Sequence, residues 1–312
     1  MWYLRNLDGL PEDAASDGVD CVTFSVVPNL TGLWAKVMRR AIPGGKARIW
    51  IGDCSGGFGA AHHFVEGIQA EPLVNYLHGE KLDLFVQKFV RSEFFVISDD
   101  DVFWVDQTPW KWAMEQFERD PKLAVVSLVP RMRFTWDLDG REHQPMGSYC
   151  LIIRRDIWLK EELSFEAVPE PSPSKGSYAG HFDTCDFANV ELIKRGYNIS
   201  IAPPEIRDHL AAFKGVSSAT LRIQKDPAAG YAREYDDGPI PIVETCLVAR
   251  ELRKIIAAVA PAGHASDLMH PELMERAERA LAPMLTSEQR AVVDARVNGL
   301  CARIAASCGV TL

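Results

Sequence analysis

Two β-branched apolar runs joined through one helical segment constrain this chain more than any other feature. DCVTFSVVPNL, from Asp20, reads as a buried strand running into a turn at Pro28 and Asn29. ARIWIGD, from Ala47, reads as a second strand that stops at Asp53. Between them Thr31 stands as a helix cap, Leu33, Val37 and Met38 supply an apolar face, and Pro43-Gly44-Gly45 ends the helix. Strand, helix and strand within about 35 residues make a crossover unit, and such a crossover forces its two strands to run parallel.

The unit repeats with variations. A helix with Leu82, Phe85, Val86 and Phe89 inward leads into FFVIS, and a helix around Trp112 to Phe117 leads into LAVVSLV. SYCLIIRRDIW reads as a further strand. Runs that are continuously apolar suit strands covered on both faces, so the pattern predicts a Rossmann-like, mostly parallel, doubly wound α/β sheet that binds ligands at the carboxyl ends of its strands. The polar and aromatic segment from Arg131 to Met146 reads as a loop or small hairpin over that edge, and VPEPSPSKGSYAG, from Val168, as a long loop.

After about Pro239 the character changes to Ala-rich helix. Val248, Leu252, Ile255 and Val259 form one stripe, Pro271 opens another helix, and Thr286 with Gln289 forms a capping box for a third, striped by Val293, Val297, Leu300 and Ile304. The expected organisation is a nucleotide-binding α/β domain over 1–238 and a helical C-terminal extension over 239–312.

Composition narrows the function. The 312-residue chain carries a formal net charge of −9, which argues against a nucleic-acid partner, because phosphate binding needs clustered cations. No stretch approaches the roughly 18 apolar residues that span a bilayer, and MWYLRNLDGL lacks a signal pattern, so a cytoplasmic location without a transmembrane segment is expected. The seven cysteines are scattered without a CxxC pair. They suggest buried reduced thiols rather than disulfides or zinc ligands.

The chemistry concentrates in FFVISDDDVFW, where an apolar strand runs directly into Asp99, Asp100 and Asp101. Adjacent carboxylates repel one another unless a cation compensates them, and oxygen ligands without cysteine point to Mg2+ or Mn2+ bridging the protein to substrate phosphates. The plainer reading is a solvated acidic turn after an edge strand.

At this point the chain resembles the GT-A glycosyltransferases, family-2-like members with a DXD motif at the end of a strand of the nucleotide-binding sheet. The resemblance implies that Asp99 and Asp101 hold the metal and that Asp100 contacts the donor. DCVTFSVVPNLTGLW is similar to the family's opening strand and first helix, which implies that Val27 and Pro28 hold the nucleotide base. IWIGDCSGG looks like the second strand, with Asp53 as the acid reading the base edge. MGSYCLIIRRDIW resembles the segment under the donor sugar, with Gly147 and Ser148 at the close approach.

HFDTCDFANVELIKRGYNISIAPP resembles the family's acidic-helix segment, which implies that Asp183 or Asp186 is a general base for the acceptor hydroxyl. The same two residues also form a plain helix start, with Asp183 as cap and Asp186 in the first turn. IRDHLAAFKGVSS resembles the segment with a late histidine, implying His209 as a further metal ligand and Lys214 and Ser217 as contacts to the departing diphosphate. The resemblance covers roughly Asp20 to Ser218 and leaves the helical tail unassigned.

The implied activity is metal-dependent transfer of a sugar from a nucleotide-sugar donor to a hydroxyl of a glycan or lipid-linked acceptor. A UDP-sugar is favoured over a GDP-sugar because Asp53 suits the N3–H of uracil, and the tail offers a surface for self-association. Trp104, Trp110 and Trp136 could stack on sugar faces, whereas Trp112 reads as core. His62 and His63 beside Glu66, and the glycines from Gly56 to Gly59, read as structural. The rivals are a haloacid-dehalogenase-type phosphatase, which DDDVF fits poorly because Phe103 stands two positions after Asp101, and a non-catalytic binding module on the same fold.

Overall fold

In the computed structural model the described residues are 18–55, 69–72, 78–131, 135–138, 140–168, 174–175, 182–213, 215–225 and 239–311. The crossover unit forms as the sequence predicts: β1 (Val19–Ser25), α1 (Pro28–Ala41), a 3-10 turn at Pro43–Gly45, and β2 (Ala47–Asp53). Thr31 does not cap α1. The helix starts three residues earlier, at Pro28, whose fixed φ and missing N–H suit the first helical position, and Thr31 is buried inside the helix. The chain continues through β3 (Gln69–Pro72), α2 (His78–Lys88), β4 (Phe94–Ser98), β5 (Val102–Trp104), α3 (Thr108–Arg119) and β6 (Leu123–Ser127).

The segment after Arg131 is the small hairpin, β7 (Thr135–Leu138) with β8 (Arg141–His143), turning at Gly140 in the left-handed region. β9 (Cys150–Arg154) comes next, but RDIW does not extend it: Arg155 opens α4 (Arg155–Lys160). Then come β10 (Ser174–Lys175), α5 (Asp186–Lys194), β11 (Asn198–Ile201), α6 (Pro204–Arg207), β12 (Leu210–Ala212) and α7 (Val216–Lys225). The tail forms α8 (Ile240–Val259), α9 (Pro271–Leu281) and α10 (Ser287–Ser307), and Thr286 with Gln289 forms the reciprocal capping box on α10.

Among the described residues seven strands make the main sheet, in the order β11-β6-β9-β4-β1-β2-β3. All pair in parallel except β9, which runs antiparallel to both β4 and β6. Helices cover both faces. Buried residues of α1, α3 and α7 pack on one side and those of α2, α4 and α5 on the other, so the sheet is mostly parallel and doubly wound, with a helical C-terminal appendage. Buried residues of α8, α9 and α10 belong to the same hydrophobic cluster as those of β1 and α1. From β1 the chain first moves outward to β2 and β3 and then crosses to β4 on the other side. That reversal opens a crevice at the carboxyl ends of β1 and β4.

The opposite end of the same strands is fixed by one buried carboxylate. Asp20 accepts from Arg48 Nη2 at 2.6 Å and Trp50 Nε1 at 2.9 Å on β2, and from the Arg91 and Ser92 amides at 2.7 and 2.8 Å just before β4. It thereby ties together the starts of three adjacent strands. Replacing Asp20 with Ala strands these donors in the core, and Asp20→Ala is expected to lower unfolding free energy by about 3–5 kcal/mol. A urea titration with an unchanged slope and an earlier midpoint would show it.

Candidate active site

Beyond the end of β4 the chain turns sharply. The Asp99 amide donates to the Tyr149 carbonyl at 2.8 Å, and the Val102 amide returns to the Asp99 carbonyl at 3.2 Å, so all three acids face the crevice. A cavity of about 330 Å3 is lined there by Asp99, Asp100 and Asp101 with Ser25 and Val26 from the end of β1, His78 and Lys81 from α2, Ser148 and Tyr149 before β9, and Gly215 and Ser217 around the start of α7.

The second and third acids are held from one side. Ser217 Oγ donates to Asp100 Oδ2 at 2.5 Å, and the Val216 amide at the first turn of α7 donates to Asp101 Oδ2 at 2.8 Å. Among the described residues nothing donates a hydrogen bond to the Asp99 carboxylate. Burial pushes the Asp101 carboxyl up to about 7, Asp100 adds to it, and the Val216 and Gly215 amides oppose it. Burial likewise raises Asp100 to about 6 against the Ser217 and Ser25 hydroxyls and Lys81. Burial first, then Asp101 and Asp100, hold Asp99 well above the ordinary carboxylate range.

Two contributors had no sequence motif. Lys81 is buried on α2 with Nζ 3.6 Å from Cys54 Sγ and 5.5 Å from the centre of the Phe24 ring. His78 lies one turn earlier, and burial followed by the Lys81 charge lowers its imidazole to about 4, so it is neutral near pH 7. The signal that could have found them was an apolar helix carrying a lysine on its inward side, Lys81 immediately before Leu82.

Asp183 and Asp186 gather around a third unforeseen residue, Arg131. Its buried guanidinium donates from Nη1 to Asp183 Oδ2 at 2.9 Å and from Nη2 to the Thr184 carbonyl at 3.0 Å, with Nε 3.5 Å from Asp186 Oδ1. Burial works against the Arg131 charge, but Asp186 and Asp183 outweigh it and raise its pKa. The helix start differs from the expected one. Cys185, in the left-handed region at φ 74°, precedes α5, and Asp186 inside the first turn accepts from the Asp183 amide at 3.0 Å. Asp186 is buried, whereas the Asp183 side chain is 43% exposed. Arg131 also stands 5.8 Å from the ring of Tyr149, which links this cluster to the cavity wall.

The remaining expected residues separate. Ser148 and Ser217 line the cavity with the acid triplet. Val27 and Asp53 do not. Val27 is buried beneath α1 and its amide donates to Ser25 Oγ at 2.8 Å, and the Asp53 carboxylate turns back to accept from the Ser55 amide at 2.9 Å. Their neighbours Val26 and Cys54 face the cavity instead, a one-residue offset at a strand end where successive side chains point to opposite sides. The side chain of Pro28 lies outside the described residues, although its backbone opens α1.

Gly147 is required by the fold itself: a Cβ there would stand 2.5 Å from the Val129 carbonyl oxygen and 2.6 Å from the Tyr149 ring. His209 is not among the cavity-lining residues. Its Nδ1 lies 2.6 Å from Asp106 Oδ2, beyond β5, where both side chains are partly exposed. Lys214, His62, His63, Glu66 and the glycines from Gly56 to Gly59 lie outside the described residues. Trp104 and Trp136 are wholly buried rather than open to a sugar, Trp104 donating to Cys150 Sγ at 3.2 Å, and Trp110 packs against the core as Trp112 does. The seven cysteines are free and buried.

Among the described residues no group of three or more His, Cys, Asp or Glu side chains is arranged to hold a metal ion, and no helix is long and apolar enough to cross a membrane. The acid triplet still fits a hard divalent cation, because Mg2+ and Mn2+ in phosphate-transfer sites take one or two protein carboxylates and complete their shell with phosphate and water. The crowded Asp99 carboxylate, without a donor among the described residues, is the oxygen pair such a cation would relieve.

No protein-family model matches the chain, and no curated protein matches it. Among solved structures it is similar to a mannosyltransferase from Pyrobaculum calidifontis in complex with GDP-Man and Mn2+, at 15% identity and a TM-score of 0.45, covering 98% of this chain and 91% of that one. It is also similar to CMP:2-keto-3-deoxy-manno-octonic acid synthetase complexed with CTP, at 13% identity and a TM-score of 0.38 over 60% of this chain and 89% of that one. A third similarity, to the bifunctional glycosyltransferase WbbM, has 10% identity and a TM-score of 0.35 over 63% of this chain and 40% of that one. At these identities and scores the likeness does not assign an activity.

The raised carboxyls give a pH prediction. Below about pH 3 folded and unfolded chains both hold these protons. As pH rises toward 7 the unfolded carboxyls, near 3.8, ionise freely while the folded Asp101, near 7, resists, so its contribution to stability falls. In chelator, Asp101→Asn is expected to flatten the loss of stability between pH 5 and 7, by at most roughly 1.4 kcal/mol per pH unit. Urea titrations of both proteins at the two pH values measure the difference.

Proposed function

We propose that this chain is a GT-A-type glycosyltransferase that binds a nucleotide-sugar donor with a divalent cation and transfers the sugar to a hydroxyl. The observation that carries the reading is the placement of Asp99, Asp100 and Asp101 at the crevice between β1 and β4, in one cavity with Lys81, Ser217 and the start of α7. Carboxylates packed this closely in a buried crevice are costly without a cation, and a diphosphate bound through that cation places its remaining charge against a lysine, hydroxyls and a helix N-terminus.

In this reading Asp99 and Asp101 hold the metal, Mn2+ or Mg2+, which when bound supplies positive charge shared between carboxylate and diphosphate. Lys81, with Ser217 and Lys214 beside Gly215 in sequence, neutralises the leaving nucleoside diphosphate as charge gathers on it. Phe24, Val26 and Cys54 form the wall available to the base. A preference for uracil depends on Asp53, whose carboxylate is turned onto Ser55, so UDP and GDP stand level. His209 is left out of the metal set because of its pairing with Asp106.

For the acceptor side, Asp183 is the proposed base and Asp186 its support. Only Asp183 combines partial exposure with contact to the Arg131 cluster beside Tyr149. A glycan hydroxyl presented there would lose its proton to Asp183 as it attacks the anomeric carbon, while Asp186 fixes the Asp183 backbone. Nothing in the site favours a phosphatase: Phe103 is wholly buried in β5, and the triplet ends the fourth strand rather than the first.

Asp99→Ala and Asp101→Ala should each abolish Mn2+-dependent binding of UDP or GDP, read as loss of the thermal shift that saturating ligand gives the wild type. At one hundred times Kd that stabilisation is about 2.7 kcal/mol. Lys81→Met should weaken nucleoside diphosphate but not free nucleoside. Asp183→Asn should keep donor affinity and lose turnover by roughly 10²-fold or more, whereas Asp186→Asn should mainly destabilise the fold, by about 1–3 kcal/mol. A wild-type protein whose melting temperature ignores every nucleoside diphosphate with Mn2+ would sink the proposal.

A further inference from the structure

The last helix reaches the acid cavity without touching it. Arg296 and Arg303 stand two turns apart on one face of α10. Arg303 Nη2 donates to the carbonyl of Asp208, two residues before β12. Arg296 Nη2 donates at 3.3 Å to the carbonyl of Ala212, the last residue of β12, and its Nη1 donates at 2.8 Å to Glu244 Oε2 on α8. Glu244 is almost wholly buried, so this fork is anchored in the core of the appendage. The two arginines therefore hold β12 at both ends.

β12 leads directly into the turn that meets the acids. Among the described residues it pairs with β5 alone, antiparallel, Leu210 opposite Trp104 and Ala212 opposite Val102, and β5 begins directly after the acid triplet. The next amide, Phe213, donates to the Asp101 carbonyl at 3.0 Å, after which Val216 and Ser217 meet the carboxylates of Asp101 and Asp100. A ribbon of two three-residue strands has little stability of its own. Burial of Leu210, Ala211 and Phe213 fixes its depth, but apolar contact is not directional, and the position of β12 along its axis is set by hydrogen bonds.

We propose that α10 is a positioning element for the cavity: Arg296 and Arg303 grip both ends of β12 and so hold the turn before α7 onto Asp100 and Asp101. The substrate half of this inference rests on the nucleoside-diphosphate reading above; the structural half does not. The appendage is thereby part of the binding machinery, acting through β12, and a ligand that loosened α10 would weaken the donor site from a distance.

Amide hydrogen exchange on the full chain tests it. Glu244→Leu/Arg296→Met removes the buried charge pair together, which spares the fold the cost of a lone Glu244, yet cuts the bond to Ala212. The Phe213 and Val216 amides should exchange roughly tenfold faster or more, with Val96 and Ile97 on β4 unchanged. Arg303→Met should act in the same direction and carries the test if the double variant does not fold. Unchanged exchange at Phe213 and Val216, or equal acceleration on β4, overturns the proposal.

A titration of GDP and UDP with Mn2+ is the second arm. Weakening in the variants by a factor matching the exchange supports the proposal, and unchanged affinity beside faster exchange overturns its binding role. If the wild type binds neither nucleotide, the functional reading fails while the exchange result still decides whether α10 positions the turn.

Discussion

Asp20 lies at the entrance to β1 with its carboxylate wholly buried, and donors from β2 and from the turn before β4 converge on it. A buried carboxylate is tolerable only if its lone pairs are filled, so this hub admits one alignment of the three strands. With Asp20 opposite Arg48 and Phe95, the carboxyl end of β1 at Ser25 stands level with Asp53 on one side and with the first acids after β4 on the other. The register is set at one end of the sheet, and the crevice at the other end inherits it.

That crevice concentrates a second electrostatic demand. Three carboxylates are brought together at low exposure, and the protein offsets them with Lys81, the Ser25 and Ser217 hydroxyls and the amides at the start of α7. The offset is incomplete: burial first, and then the neighbouring acids for Asp99 and Asp101, hold the carboxyls above their ordinary range. Functional sites are where such unresolved repulsion is kept, because a ligand that resolves it gains affinity from the relief. The Arg131 cluster is the opposite case: one buried guanidinium donates to Asp183 and lies 3.5 Å from Asp186, so opposite charges are paired behind Tyr149.

How much of the molecule is legible in the sequence depends on the range of the forces involved. β1, β2, β4 and β6 are written as continuous apolar runs, α10 by its capping box, and the acid triplet by adjacency, since each depends on neighbours along the chain. Thr31 misled because a cap residue competed with Pro28, and RDIW misled because apolar content does not separate a strand from the helix next to it. Lys81 and His78 left only a weak local trace, a lysine on the inward side of an apolar helix, and Arg131 left none. A buried charge is defined by partners far along the chain, as Arg131 is by Asp183 52 residues away. Asp53 and Val27 were missed by one position, the smallest error that turns a side chain from a cavity into the core.

The same distinction explains why the tail stands out in the sequence as a separate addition. Its helices are marked by local stripes and caps, so they form a visible block, but the bonds that give them meaning are long-range. Arg296 reaches the Ala212 carbonyl across 84 residues and the Asn29 amide reaches the Asp267 carbonyl across 238. Both contacts end on backbone carbonyls, groups that every residue carries and that leave no trace in a sequence. Because α8, α9 and α10 share one hydrophobic cluster with α1 and α7, loosening the appendage exposes the flank of the helix whose first turn receives Asp101. Cavity and appendage are therefore coupled through packing that neither segment's own pattern discloses.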